Sequence, residues 1–287
     1  MKEEIQKFFK GEVEDREETL MKYSHDASLL EVRPKLVVFP KDSEDVKNLL
    51  KWVSENKEKN PELSITCRCA GTDMSGGAIG ESIIMDFTRY MNKLVGGPLP
   101  IDNSSYLDNK IKNNPERKRL ASYGAGIKKI NNYPQLPSYI TVQPGMFYRD
   151  FEKITLAKGL ILPCYTASKS INAMGGMFGN NSAGERTLKY GKTEDYILSA
   201  KVIFADGNEY VVRPLNKNQL DKKIAQEDLE GNIYKNIFEL IKNNEEEIKH
   251  AKPNVHKNSA GYYIWNVLYA APADASAEDF LLRNVNH

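Results

Sequence analysis

The sequence has few cysteines, almost no net charge and no long apolar run, and each shortage excludes a class of protein. Cys67, Cys69 and Cys164 are an odd number with no C-x-x-C pair, which argues against a disulfide framework and a zinc site. A net charge of +1 provides no field for nucleic acid. No segment reaches the roughly 20 apolar residues of a membrane span, and the N-terminus is too charged for a signal peptide. The sequence therefore predicts a cytoplasmic protein with no metal site, membrane span or nucleic-acid partner.

What the composition does provide is a hydrophobic core. An apolar content of 40% in 287 residues is enough for one sizeable core or for two subdomains. Cys67 and Cys69 lie two positions apart in a β-type run, so they share one face of the predicted strand. We interpret both as buried packing thiols.

Residues 65–78 combine a β-type run with a glycine-rich turn. Gly71, Gly76 and Gly77 leave backbone N–H groups uncovered and allow a ligand to approach the main chain closely. A phosphate or pyrophosphate needs this arrangement, and a plain tight loop is the alternative interpretation. The turn is not a Walker A loop, which requires Gly-Lys-Ser/Thr. A G-x-G-x-x-G is also absent, both here and at 124–129, where a lysine replaces the third glycine.

A second stretch of interest spans residues 166–184. Small residues and side-chain amides dominate it. A large flat ligand could lie against its backbone while amides and N–H groups contact the edges of the ligand.

Together the two stretches resemble the flavoprotein family of vanillyl-alcohol oxidase and para-cresol methylhydroxylase, in particular its D-lactate and glycolate dehydrogenase branch. The resemblance extends from about Tyr23 to Tyr263. Its most specific pieces are the 68–78 loop, Val142-Gln143-Pro144-Gly145, the 175–184 segment, Lys189-Tyr190-Gly191 and Ala205-Asp206-Gly207. The resemblance implies an α+β fold, with two α/β subdomains of the PCMH-type FAD-binding fold and FAD between them.

The resemblance also implies which residues bind FAD. The pyrophosphate is expected at Ala70, Gly71, Thr72, Asp73, Met74, Ser75, Gly76 and Gly77. The ribityl and phosphate region is expected at Pro144 and Gly145, and the flavin and adenine tail at Ser168, Asn172, Gly175, Gly176, Asn181 and Gly184, with Ile203 presenting backbone atoms to the adenine. Relatives that link FAD covalently often carry a histidine in the first loop, where this chain has Thr72-Asp73-Met74, so we expect non-covalent FAD. Cys164-Tyr165-Thr166 replaces the Pro-Asp-Pro of relatives, which implies a different local loop.

The predicted organisation has three parts. A helical extension at 1–31 contains a charged, solvated helix at 3–22. The FAD-binding domain follows at 32–215, with subdomains at about 32–95 and 139–215 and an elaborated excursion at 96–138. Residues 216–287 form a helical tail. The predicted strands are 36–39, 63–69, 83–86, 120–123, 139–142 and 160–163, followed by a hairpin at 201–212 with a type I′ turn at Asp206-Gly207. The right-handed crossover rule predicts that strands 36–39 and 63–69 are parallel neighbours. The predicted helices include one capped by Ser43, one with Phe147, Phe151 and Ile154 on its face, and one at 233–249 with Ile233, Ile237, Leu240 and Ile241 on its apolar side.

The expected function is that of an FAD-dependent oxidoreductase domain that oxidises a small 2-hydroxy acid, such as D-lactate or glycolate, by hydride transfer to flavin. In the family a K-N-x-x-G-Y element, here at 257–262, precedes a cap domain that supplies the catalytic acid and base, and this chain ends at His287. We therefore nominate no catalytic residue, and expect an N-terminal part of a longer flavoprotein or a cap-less form, with a cap domain or an electron-acceptor partner elsewhere. Alternatives are an FAD-binding module that needs a partner chain, or the ether-lipid synthase or enolpyruvyl reductase branch of the family.

Overall fold

A computed structural model describes residues 1–100, 138–255, 258, 262–269 and 281–282. The predicted strand at 120–123, most of the 96–138 excursion and most of the K-N-x-x-G-Y element lie outside the described residues. No helix in the described part of the chain is both long and apolar enough to cross a membrane.

The described residues form short helices and strands in alternation. The helices are α1 (Lys2–Ile5), α2 (Glu17–Tyr23), α3 (Ser43–Asn56), α4 (Tyr148–Leu156), α5 (Met174–Gly179), α6 (Thr187–Tyr190), α7 (Lys217–Ile224), α8 (Leu229–Asn243) and α9 (Glu245–Ala251), with 3₁₀ turns at Thr193–Tyr196 and Ile264–Asn266. The strands are β1 (Glu12–Glu14), β2 (Leu36–Phe39), β3 (Ile65–Arg68), β4 (Ile83–Asp86), β5 (Leu94–Pro100), β6 (Ser138–Val142), β7 (Ala200–Ile203), β8 (Glu209–Val212), β9 (Leu268–Tyr269) and β10 (Leu281–Leu282).

The chain divides into two compact units, one of residues 1–96 and 141–211, the other of 97–140 and 212–287. The first unit contains a four-stranded sheet in the order β1-β2-β4-β3. Strands β2 and β3 both run parallel to β4, which confirms the predicted parallel arrangement. They are not neighbours as predicted, because β4 lies between them. All four residues of both β2 and β4 are buried, whereas the more polar β3 is partly exposed at the edge.

Helix α3 packs its apolar residues Val46 and Leu49 against the core of this sheet. The helix begins after Asp42, whose Oδ1 accepts a hydrogen bond from the Asp45 N–H at 3.1 Å. The prediction that Ser43 is the cap was therefore wrong by one residue. Asp45 is itself fully buried, and its carboxylate accepts hydrogen bonds from the backbone N–H groups of Lys10 (2.8 Å) and Lys41 (2.9 Å).

The single solvated helix predicted at 3–22 is wrong. Helix α1 already ends at Ile5, and the chain then reaches Gly11, where an added Cβ would lie only 2.0 Å from the Phe39 carbonyl oxygen. After this close approach, β1 pairs antiparallel with β2 and places Val13 opposite Val38. The alternation Glu-Val-Glu has the period of a strand with one buried face. Residues 1–31 therefore belong to the sheet and core of the first unit and are not a solvated helical extension.

Two details of the second half of the first unit also differ from prediction. Residues 160–163 form no strand. The β7–β8 hairpin is present, but its turn is not type I′, since only Gly207 of the Asp206-Gly207 pair has a positive φ (71°). The Gly207 N–H donates to the Phe204 carbonyl at 2.8 Å, and the Phe204 N–H donates to the Asn208 carbonyl at 3.2 Å. These bonds define a type I turn followed by a left-handed glycine, a common longer hairpin connection.

In the second unit, the helix predicted at 233–249 is divided at Asn244 into α8 and α9. Tyr234 and Ile241 are buried, whereas Leu240 is exposed. Leu215, Leu220 and Tyr234 form the local core. The buried side of α8 is thus rotated from the predicted one, because Tyr234 packs against α7. The sequence analysis did not predict α7, since its sequence is rich in charged residues.

We predict that Ile5→Ala will lower the free energy of unfolding by about 2–5 kcal/mol, because it removes a fully buried side chain from the core of the first unit. Urea denaturation checks this. The control is Leu156→Ala, since Leu156 is 54% exposed and its truncation should change stability by no more than about 0.5 kcal/mol. Equal effects of the two substitutions would show that the N-terminal segment is not part of the core.

Candidate cofactor-binding site

The glycine-rich loop begins where β3 ends. Strands β3 and β4 are parallel, so their carboxyl ends lie at the same edge of the sheet, with Arg68 opposite Asp86. In open α/β sheets, ligands bind in the crevice outside this edge. The sheet therefore places the loop where a cofactor is expected.

Backbone N–H groups of the loop converge on the carboxylate of Asp73. Its Oδ2 accepts hydrogen bonds from the Ser75 N–H (3.1 Å), the Ser75 hydroxyl (2.8 Å) and the Gly77 N–H (2.7 Å). Burial acts to raise the pKa of Asp73, but the hydrogen bonds from Gly77 and Ser75 outweigh it and hold the pKa below its ordinary value. Gly76 has a φ of +86°, a conformation that suits glycine. The predicted anion-binding loop thus has donors that hold a negatively charged oxygen, which is what a pyrophosphate requires.

Arg68 anchors the two ends of this loop. Its Nη1 donates to the Ala78 carbonyl at 3.1 Å, and its guanidinium lies 5.0 Å from the centre of the Tyr23 ring. An added Cβ at Gly71 would lie 2.3 Å from Arg68 Nη2, so the guanidinium occupies the space beside that glycine. Burial lowers the pKa of Arg68, an effect that the nearby Tyr23 and Asp86 oppose. Arg68 stabilises the loop from within the protein, a role that the glycine pattern does not indicate.

Below Arg68 lies a buried hydrogen-bond network centred on Asp86. The Tyr23 hydroxyl donates to Asp86 Oδ2 at 2.6 Å, and the Thr88 N–H and hydroxyl each donate to Asp86 Oδ1 at 2.6 Å. Burial, followed by the charge of Asp86, raises the pKa of Tyr23. Sequence reasoning missed both Tyr23 and Asp86 as support for the site. The available signal was an ionisable residue at the end of an otherwise apolar strand.

The second predicted stretch pairs with the segment that follows β6. The Gly175 N–H donates to the Pro144 carbonyl (2.7 Å), and the Met174 N–H donates to the Met146 carbonyl (2.8 Å). In the other direction the Tyr148 N–H donates to the Asn172 carbonyl (3.1 Å). This ribbon brings together four residues that the sequence analysis assigned to FAD: Pro144, Gly145, Asn172 and Gly175.

Cys69 joins this ribbon to the start of the loop. Its thiol donates to the Pro144 carbonyl at 3.4 Å. An added Cβ at Gly175 would lie 3.0 Å from the Cys69 sulfur and 2.7 Å from Pro144 Cβ, so the three residues are in close packing. Burial, reinforced by the charge of Asp86, raises the pKa of Cys69 to about 12. The thiol is therefore protonated and packs against Pro144 and Gly175, but Cys69 is half-buried and Cys67 is exposed, whereas both were predicted to be buried.

Two asparagines of the second stretch have buried polar atoms that lack a partner. Asn172 is 4% exposed, and its amide nitrogen donates to the Thr166 hydroxyl at 2.6 Å, but its Oδ1 has no hydrogen-bond partner among the described residues. Asn181 is 8% exposed, and its Oδ1 accepts from the Glu194 N–H at 3.0 Å, but its Nδ2 has no such partner. Buried polar atoms are almost always hydrogen-bonded. The missing partners of these two atoms mark this stretch as a candidate contact for the edge of a polar ligand.

The other predicted residues have structural contacts of their own. Ser168 lies 2.9 Å from the Thr166 hydroxyl, and the side chain of Ile203 packs against the core of the sheet. At Gly145 and Gly184 a side chain would collide with protein backbone, 2.1 Å from the Phe87 carbonyl oxygen and 1.9 Å from the Tyr165 carbonyl oxygen. Close packing of the protein is thus sufficient reason for glycine at these two positions.

The geometry defines a class of protein, one in which a glycine-rich loop at the carboxyl edge of a parallel sheet directs N–H groups at a carboxylate oxygen, with a small-residue segment packed beside it. The comparison with known families then identifies the family. A model described as FAD binding domain matches residues 34–96 and 122–213. The chain belongs to this family, and the predicted FAD cofactor is confirmed.

Curated relatives match a large part of this chain but only a fraction of their own length. D-2-hydroxyglutarate dehydrogenase of Escherichia coli is 22% identical over 85% of this chain and 20% of its own. Glycolate oxidase subunit GlcD of Bacillus subtilis is 27% identical over 72% of this chain and 35% of its own. D-lactate dehydrogenase of Archaeoglobus fulgidus is 27% identical over 60% of this chain and 29% of its own.

Solved structures confirm the predicted fold class. Alkyldihydroxyacetonephosphate synthase superposes with a TM-score of 0.52 and 18% identity, over 74% of this chain and 34% of that chain. Chitooligosaccharide oxidase superposes with a TM-score of 0.50 and 13% identity, over 76% of this chain and 37% of that chain. At this identity the similarity shows the mixed helix and sheet fold of PCMH-type flavoenzymes alone.

We predict that Tyr23→Phe will lower the free energy of unfolding by about 1–3 kcal/mol, because the variant leaves buried Asp86 Oδ2 without its donor. Denaturant titration measures the change. The matched control is Tyr139→Phe, in which a hydroxyl is removed from a residue that is 38% exposed. If both variants are as stable as the parent, the Asp86 network does not support the loop.

Proposed function

We propose that this chain is the FAD-binding part of a flavoenzyme that oxidises a small 2-hydroxy acid. The observation that carries the proposal is the convergence of loop N–H groups on one negatively charged oxygen in a chain of the FAD-binding family. The substrate class comes from three relatives, whose names specify D-2-hydroxyglutarate, glycolate and D-lactate. We extend to this chain the common chemistry of these three substrates, an α-carbon that carries a hydroxyl beside a carboxylate.

In this proposal the two stretches have different roles. The loop at 70–77 binds the pyrophosphate through its N–H groups, and Arg68 fixes the ends of the loop. Pro144 and Gly175 bring the second stretch beside it, and the partnerless amide atoms of Asn172 and Asn181 contact the polar edges of the cofactor. When bound, FAD would supply the redox chemistry as a hydride acceptor. The contribution of this chain is to bind and orient it without a covalent link.

Oxidation of the substrate needs an acid or base and a site for the carboxylate, and we assign neither to this chain. The curated relatives extend well beyond the region that they share with it. We propose that a cap domain or a partner chain provides these groups. The second candidate function is therefore an FAD-binding module that is inactive alone.

Anaerobic addition of D-lactate, glycolate or D-2-hydroxyglutarate to the FAD-loaded chain tests the activity and separates the two candidates. We expect loss of the visible flavin absorbance with the preferred acid and none with the corresponding compound that lacks the hydroxyl. Retention of colour with all three acids, in a chain that binds FAD, would favour the module. A chain that binds no FAD would contradict both.

We predict that Gly76→Val will lower the amount of bound FAD by about tenfold or more, while the protein stays folded. The substitution places a β-branched residue at a φ of +86°, where it is strained, and its Cβ would lie 2.7 Å from the exposed Leu30 side chain, which can move. The measurement is the flavin released into the supernatant by trichloroacetic acid from equal amounts of each protein. Flavin that stays in the pellet of the parent protein would contradict the non-covalent link.

The matched control is Gly159→Val. Gly159 also has a positive φ (+69°) and has no heavy atom within 4 Å of an added Cβ, but it follows α4 and is not a site residue. It should therefore carry a similar backbone strain and keep its flavin. Equal flavin content in all three proteins would remove the loop from the site.

A further inference from the structure

We propose that Asp73 is an internal competitor for the pyrophosphate, because its carboxylate occupies the N–H groups that the cofactor would use. The inference rests on the proposed role of the 70–77 loop in FAD binding. It assigns to one side chain of the loop a role opposite to that of the loop backbone, and it makes Asp73 a determinant of cofactor affinity.

The first argument is the shared donor set. Three donors from Ser75 and Gly77 reach a single oxygen of Asp73 at 2.7–3.1 Å. A side chain at Gly77 would crowd this contact, because an added Cβ would lie 3.1 Å from the same oxygen. Two of the donors are the backbone N–H groups that a phosphate oxygen requires. An N–H group that donates to Asp73 at this distance cannot also donate a full hydrogen bond to a phosphate, so the carboxylate and the cofactor are alternatives.

The second argument is charge. In the described part of the chain, Asp73 forms no ion pair that would neutralise it. The segment at 25–31 hydrogen-bonds to Asp73 through the Ala27 N–H, which donates to the Asp73 carbonyl at 3.0 Å. The ionisable groups of that segment are Asp26 and the pair His25 and Glu31, 3.5 Å apart, and Arg68 is engaged with Ala78. A pyrophosphate in the loop would therefore meet an uncompensated negative charge, and like charges at short range repel.

The third argument concerns the conformational freedom of the loop. A loop with Gly71, Gly76 and Gly77 has many accessible conformations when nothing holds its N–H groups together. The Asp73 carboxylate holds them in a binding-competent arrangement before the cofactor arrives. Asp73 therefore has two opposing effects on affinity, pre-organisation of the donors and competition for them, and we infer that competition is the larger because the carboxylate also carries charge.

Asp73→Asn separates the two effects. The amide keeps an acceptor oxygen in the same position and removes the negative charge, so pre-organisation is retained while repulsion is lost. We expect the dissociation constant for FAD to fall by about tenfold, which corresponds to about 1.4 kcal/mol. Asp73→Ala frees the donors completely and should also tighten FAD binding. If Asp73 only organises the loop, Asn should be neutral and Ala should weaken binding.

The experiment is a fluorescence titration of flavin-stripped protein with FAD and, separately, with riboflavin, which carries no phosphate. The gain in affinity of Asp73→Asn should be confined to FAD and should shrink as salt concentration rises, because salt screens the repulsion. Asp150→Asn is the charge-matched control, since Asp150 lies on α4 and pairs with Lys153 at the surface. Its affinity should equal that of the parent.

The outcomes distinguish this inference from the proposed function. If parent and variants all fail to bind FAD, the proposed function is wrong. If the parent binds FAD and Asp73→Asn binds it equally or more weakly, or gains equally for riboflavin, the competitor role is wrong and the proposed function stands.

Discussion

The arrangement of the site depends on one buried contact, the hydrogen bond from Tyr23 to Asp86. A carboxylate at the buried end of an apolar strand is tolerated only when donors satisfy it, and Tyr23 and Thr88 provide them. This contact joins the end of α2 to the carboxyl end of β4 and places the Tyr23 ring next to the guanidinium of Arg68. Arg68 in turn holds Ala78, at the far end of the glycine-rich loop. A loop of flexible residues is thus fixed by large, polar side chains outside its glycine pattern.

The glycines of the two stretches have different physical reasons to be glycine. Gly76 suits a positive backbone dihedral, whereas a side chain at Gly77 would crowd the Asp73 carboxylate. Gly175 is required by Pro144 and Cys69, where two segments of the protein cross. A glycine in the sequence therefore indicates that some group lies close to the backbone, but it does not identify that group. In this molecule the group is often another part of the chain. The stronger evidence for a ligand is the set of donors aimed at an anion and the buried amide atoms without partners.

Cofactor binding and substrate choice are separate problems in this family of folds. Because flavin carries the redox chemistry, N–H groups and small residues that bind the cofactor are needed whatever the substrate is. The structural similarity to alkyldihydroxyacetonephosphate synthase and chitooligosaccharide oxidase, at low sequence identity, shows the fold alone. The substrate class proposed for this chain rests on its sequence relatives, whereas the two stretches bear only on the proposed FAD site.

The sequence by itself determined the elements whose signal is local. Strands β2 and β4 followed from apolar runs and the glycine-rich loop from glycine spacing, whereas the α+β fold was implied by the resemblance to a known family. It misplaced residues 3–22, because Gly11 and the short Glu-Val-Glu alternation become a strand only when β2 is beside them. The tertiary structure alone decided that β4 separates β2 from β3, that Cys69 meets Gly175, and that Asp73 occupies the N–H groups of its own loop. These are contacts between segments, or directions of single hydrogen bonds, and their energy depends on neighbours that no local pattern encodes.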